Sequence, residues 1–132
     1  MRVKFKGMTS KQIGMIIVMV SSLLMVQCHK YATQDDINKI QFNYSAIENN
    51  GFRNEGVSVD YEFCIPAKES YGKKVLRIEP QANIMEKSKG RSGCTDQQWL
   101  VVINNHDANW KNKLFAMTSL PFVERIRQTD YE

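Results

Sequence analysis

A chain of 132 residues is ordinarily one domain, and its formal net charge of +4 suggests a basic protein until the charges are located. Arg2, Lys4, Lys6, Lys11 and Lys30 put five positive charges into residues 1–30, which contain no acid. The remaining residues carry 13 basic against 14 acidic side chains, so the basicity belongs to the N-terminus and nucleic-acid binding loses its electrostatic support.

The first cations precede an uncharged run from Ile13 to Val26, the pattern of a signal peptide or an uncleaved N-terminal membrane anchor over residues 1–30. Residues 12–28 would make roughly 25 Å of helix, short for a hydrocarbon core but workable in a thin membrane. Lysines ahead of the run predict an inside N-terminus and an outside C-terminal body. Three fates are open. Leu24-Met25-Val26-Gln27-Cys28 resembles a bacterial lipoprotein signal, with Cys28 as the candidate lipidation site, although Gln27 stands where that signal has a small residue. In the second, a signal peptidase cuts at the Val26-x-Cys28 spacing. In the third, nothing cuts and the stretch stays as a single transmembrane helix. Each fate puts the body outside the cytoplasm. The expected location is the inner membrane with the C-terminal domain in the periplasm, or an exported or lipid-anchored form.

Residues 31–56 read as a juxtamembrane helix and linker. Thr33 is a helix cap, Asp35 and Asp36 suit the first turn, and Gly51 suits the end. Ile37, Ile40, Tyr44 and Ile47 form one apolar stripe at helical spacing. Asp35, Asp36 and Glu48 against Lys39 leave too little positive charge for an anionic lipid surface, which favours a spacer packing on the body. Asn43-Tyr44-Ser45 fits a glycosylation sequon placed within the helix. Gly51 to Gly56 reads as the linker.

Residues 57–132 read as an extracytoplasmic α+β domain. Val57 to Ile65 alternates strictly: Val57, Val59, Tyr61, Phe63 and Ile65 share one face, while Ser58, Asp60, Glu62 and Cys64 share the other. Pro66 and Ala67 can open a helix that presents Tyr71, Lys74, Val75 and Ile78 and stops at Pro80. Ala82 to Glu86 is a short strand, and Lys87 to Gly93 has the residues of a hairpin loop. Gln97 to Ile103, apolar on both faces, reads as a central strand with Trp99 in the core. A second helix follows with Trp110, Leu114, Phe115 and Met117 inward; Pro121 closes it, and Phe122 to Gln128 is the last strand. The order βαββαβ predicts a ferredoxin-like antiparallel sheet with two helices on one face.

In that arrangement the end of the first strand lies beside the start of the third, which brings Cys64 to Cys94. A disulfide bond there would contribute ~3 kcal/mol to a small body in an oxidising compartment.

The catalytic inventory is thin. The chain has no C-x-x-C, H-E-x-x-H, G-x-S-x-G or P-loop motif. His29 and His106 lie far apart without cysteine or carboxylate at metal-ligand spacing, so neither a metal nor a cofactor is expected. The candidate binding residues are Lys87, Lys89 and Arg91, which concentrate charge where an acidic ligand or partner could dock, and Asp60 and Glu62, expected on an open sheet face. Trp110 joins them as a core residue or a partner anchor. The reading is a non-catalytic binding or inhibitory module of the bacterial cell envelope, comparable to an immunity protein or antagonist, with a protein partner and no nucleic acid. The alternatives are an accessory or sensor subunit of an inner-membrane complex and, less favoured, a small hydrolase using His106 or Asp60.

Overall fold

A computed structural model describes residues 32–53 and 56–129. They belong to one compact unit, 31–132. The targeting segment, with Cys28 and His29, lies outside the described residues, and no described helix is long and apolar enough to cross a membrane.

The architecture is α+β with antiparallel sheets. Thr33 caps a short helix, α1 (Gln34–Asn38), through a capping box in which its side chain and that of Asp36 bond each other's backbone N–H. The helix expected to run on towards Gly51 stops at Lys39. There the chain turns to pair with Ile126: the Gln41 N–H donates to the Ile126 carbonyl and the Ile126 N–H to the Lys39 carbonyl, both at 2.8 Å. A 3-10 turn at Tyr44–Ala46 follows. The apolar stripe still reaches the core, but along a folded-back path, with Ile47 fully buried. Residues 32–53 therefore pack as part of the body.

The expected strand from Val57 divides in two. β1 (Phe52–Arg53) and β2 (Val57–Ser58) make a small antiparallel pair of their own, and Val57 stays exposed. β3 (Asp60–Pro66) is then the central strand of a second sheet. α2 (Glu69–Ile78) begins later than Pro66 predicts, because Pro66 still pairs with Gln98 in the sheet. β4 (Asn83–Met85), β5 (Gln98–Asn104) and α3 (Trp110–Thr118) fall close to their expected places. The last strand, β6 (Arg127–Thr129), is shorter than expected. Phe122 to Ile126 instead forms turn and coil that drops Val123 and Ile126 into the core. The four-stranded sheet runs β4-β5-β3-β6, every neighbouring pair antiparallel.

Register explains the core. Tyr61 lies opposite Ile103, Phe63 opposite Val101 and Ile65 opposite Trp99, so these side chains share a face. Val75 of α2 and Trp110, Leu114 and Met117 of α3 close that face into one buried cluster; Trp99 is only half-buried. Gly51, at φ +84°, lets the chain before β1 press on the loop after β5; a Cβ there would stand 1.5 Å from the Asn105 carbonyl oxygen.

Candidate functional site

The other face of β3 carries Asp60, Glu62 and Cys64. It is covered, not open as the alternation alone suggests. The loop 86–97 folds over it, and Cys64 and Cys94 are joined by the expected disulfide, Cα atoms 5.5 Å apart. Gly90 makes the close approach possible: at φ +54°, its absent Cβ leaves room for the Leu100 methyls and Glu62 Oε1, which would lie 2.7 and 3.0 Å away. Glu62 accepts a hydrogen bond from the Ser92 N–H. The Cys94 N–H closes the loop on the Lys89 carbonyl at 2.8 Å.

Asp60 and Glu62 are 7% and 2% exposed. The open-face placement is corrected: both carboxylates are buried, and Glu62 bonds the loop backbone. Trp110 is likewise inside, 1% exposed, with its indole N–H donating to the Glu48 carbonyl at 2.9 Å. Of the two places expected for Trp110, the burial fits the core and not a partly exposed anchor. Lys87, Lys89 and Arg91 lie at the surface on the outer side of the loop. Lys89 stands 3.8 Å from Asp96, both well solvated, which makes a weak pair.

Two residues passed over in the sequence reading join this loop. Arg125 donates to the Ser92 carbonyl at 3.2 Å and Arg127 to the Arg91 carbonyl at 3.0 Å. The available signal was the i, i+2 spacing of two arginines beside the last strand, which puts both on one side. Since Arg127 pairs with Glu62 across β6 and β3, that side is the one the loop covers. Two arginines from the end of the chain are thus held against residues 91 and 92 of the loop.

A second concavity, a cleft of about 460 Å³, is lined by Glu79, Pro80, Gln81, Asn104, His106, Asp107 and Lys113. Lys113 Nζ stands 2.7 Å from Glu79 Oε2 and also bonds Asp107. The hydrogen bonds to Asp107 and then Glu79 raise the Lys113 pKa. The Lys113 bond, followed by the Asn109 N–H, holds the Asp107 carboxyl below its ordinary range. Charge here is used internally, cation against carboxylates. His106 is a tether: its ring stacks on Phe52, centroids 5.1 Å apart, and Nε2 hydrogen-bonds Ser58 Oγ. It thereby joins the β1–β2 pair to the loop after β5. Among the described residues, no group of three or more His, Cys, Asp or Glu side chains could hold a metal ion.

The chain matches no protein-family model, and no curated protein or solved structure is similar to it.

Proposed function

We propose that the protein is a non-catalytic binding module of a bacterial cell envelope, of the antagonist or immunity type, held at the outer side of the inner membrane or exported by residues 1–30. The observation that carries the reading is the Cys64–Cys94 bridge, which closes an exposed, cation-bearing loop onto the sheet. A disulfide of this kind suits an oxidising compartment, and the charge pattern of residues 1–30 independently suits export. A loop fixed by covalent and hydrogen bonds suits recognition, since little ordering is left to be done on binding. The strand order β4-β5-β3-β6, with α2 and α3 as the crossing helices, supports a ferredoxin-like reading of the body. That architecture does not choose a function. The internally paired cleft and the tethering role of His106 favour binding over hydrolysis.

The test is capture of the tagged full-length protein from its own cells under non-reducing conditions, with bound proteins identified by mass spectrometry. One stoichiometric secreted or envelope protein, whose own activity falls when the full chain is added back, is the expected result. A multi-subunit membrane complex that is lost when the anchor is exchanged for an unrelated one would replace this reading with the accessory-subunit one. A bait without partners would retire both.

A further inference from the structure

We propose that Lys87, Lys89 and Arg91 form, with Arg125 and Arg127, one preorganised cationic surface that docks an acidic segment of a partner protein, and that the Cys64–Cys94 bridge keeps it in its binding form. This rests on the binding-module reading and adds the chemistry of the partner.

Three observations carry it. The first is convergence: Arg125 and Arg127 bond the carbonyls of Ser92 and Arg91, so the C-terminal cations lie along the loop that bears the other three. Each guanidinium has five N–H donors in a planar fork suited to carboxylates; the loop carbonyl engages one nitrogen. The second is rigidity. The bridge, the Ser92 N–H on Glu62, the Cys94 N–H on Lys89 and the Gly90 approach to Leu100 fix the loop backbone before any partner arrives. Fixed cations lose less entropy on docking than cations on a loose loop. The third is shape: a cavity of about 230 Å³ lined by Cys64, Gly93, Thr95, Gln98, Glu124 and Arg125 opens beside that last arginine, room for a side chain of the docked segment.

The same surface argues against an anionic bilayer as the occupant. Glu86, Asp96 and Glu124 stand exposed in the same two segments as the cations. A uniformly negative membrane meets those carboxylates as repulsion, whereas a protein segment can place its acids over the arginines and a donor over Glu124. Residues 86–97 also present no exposed apolar side chain to enter a headgroup layer.

The probe is a fluorescent peptide of alternating glutamate and serine, with a glutamine-for-glutamate control, titrated into the full chain in neutral detergent. Saturable binding of the glutamate peptide is expected, weakening about fivefold or more as salt rises from about 50 to about 300 mM. The triple variant Lys87→Gln, Lys89→Gln, Arg91→Gln should weaken it about tenfold, and Arg125→Gln with Arg127→Gln should do so independently. The triple variant alters only exposed side chains, so an unchanged denaturation midpoint certifies its fold. Reduction of the bridge should also weaken binding several-fold. Equal binding of the glutamine peptide, or no response to the triple variant, overturns the surface. Unchanged affinity after verified reduction overturns the role of the bridge. Flotation with phosphatidylcholine vesicles, with and without phosphatidylglycerol, adds the rival arm: a phosphatidylglycerol-dependent gain abolished by the triple variant, without peptide binding, gives the surface to the membrane and overturns the proposal. If cellular capture returns one envelope partner whose binding survives both variants, this inference fails and the module reading stands. If capture returns nothing while the peptide binds, the module reading fails and the surface stands.

Discussion

Glu62 accepts a hydrogen bond from the backbone N–H of Ser92, 30 residues away, while its other oxygen lies 3.4 Å from the Thr129 hydroxyl, which donates to it. One buried carboxylate thus ties the loop, the central strand and the last strand together. Glu62→Gln keeps an acceptor for the Ser92 N–H, whereas Glu62→Ala leaves that buried donor unmet. The alanine variant is expected to lose about 2 kcal/mol of stability and the glutamine variant clearly less. Urea unfolding of the two variants checks the order, and equal losses would show that volume, not the hydrogen bond, sets the cost.

Reducing the Cys64–Cys94 bridge is expected to lower stability by ~3 kcal/mol, because the unfolded chain regains the freedom of a loop closed over a separation of 30 residues. The double variant Cys64→Ser, Cys94→Ser should unfold at the same denaturant concentration as the reduced protein. A bridge without effect on the midpoint would mean that the hydrogen bonds alone hold the loop.

Tyr61 is fully buried, and its hydroxyl has no hydrogen-bond partner among the described residues. Burial first, and the Glu79 charge second, push its pKa far above the phenol range. In the unfolded chain the phenol ionises near 10. Above that pH the folded state retains a proton that the unfolded state has released, so stability is complete below about pH 10 and declines as pH rises beyond it. Ultraviolet titration should find one tyrosine that ionises only with alkaline unfolding, and Tyr61→Phe should abolish that step. At neutral pH the substitution is expected to lie within about 1 kcal/mol of wild type, since it deletes an unpaired buried hydroxyl. Ionisation of Tyr61 in the folded protein near pH 10 would contradict the burial argument.

Glu79 has a side chain only 8% exposed and stands 2.7 Å from Lys113. Lys113→Met takes away that counter-charge and is expected to cost about 1 to 3 kcal/mol; adding Glu79→Gln should recover part of it. The pH dependence has two limits. Asp107, with its pKa lowered, contributes stability that is present above the ordinary aspartate value near 4 and lost as pH falls through its folded value. Lys113, with its pKa raised, contributes stability that is present below about 10.5 and lost as pH rises through its folded value. A melting-temperature profile should show this cluster's contribution as a plateau between those limits that Lys113→Met removes. An identical profile in the variant would sink the idea.

Gly51→Ala would place a Cβ against the Asn105 carbonyl oxygen at a backbone angle that L residues rarely adopt. A loss of about 2 to 4 kcal/mol is expected by thermal or urea unfolding. A variant as stable as wild type would show that the approach of these two segments can relax.

Local pattern alone determined a good part of this body. The alternation from Val59 to Ile65 identified the residues that fill one face, and the branched run around Leu100 to Ile103 identified their cross-strand partners. Proline and cap signals located α2 and α3 to within a few residues. Each is a short-range consequence of period 2 or period 3.6, and such a period survives in any surroundings. The Cys64–Cys94 pair was legible too, because strand order implies which ends are neighbours. Only the tertiary structure decided what lies over each face. Alternation separates Asp60 and Glu62 from Tyr61 and Phe63 but says nothing of whether water or protein covers them, and here both are buried, Glu62 under the loop with Gly90 and Ser92. The helical stripe through Ile40 and Ile47 named residues that pack on the core, Ile47 buried and Ile40 half-buried, while the backbone left the helix, because pairing with Ile126 outcompetes continued helix at Lys39 to Gln41. Arg125 and Arg127 meet the Lys87 to Arg91 loop only once register and chain reversal are set. These contacts join positions far apart in the chain, where no local period carries information about the partner.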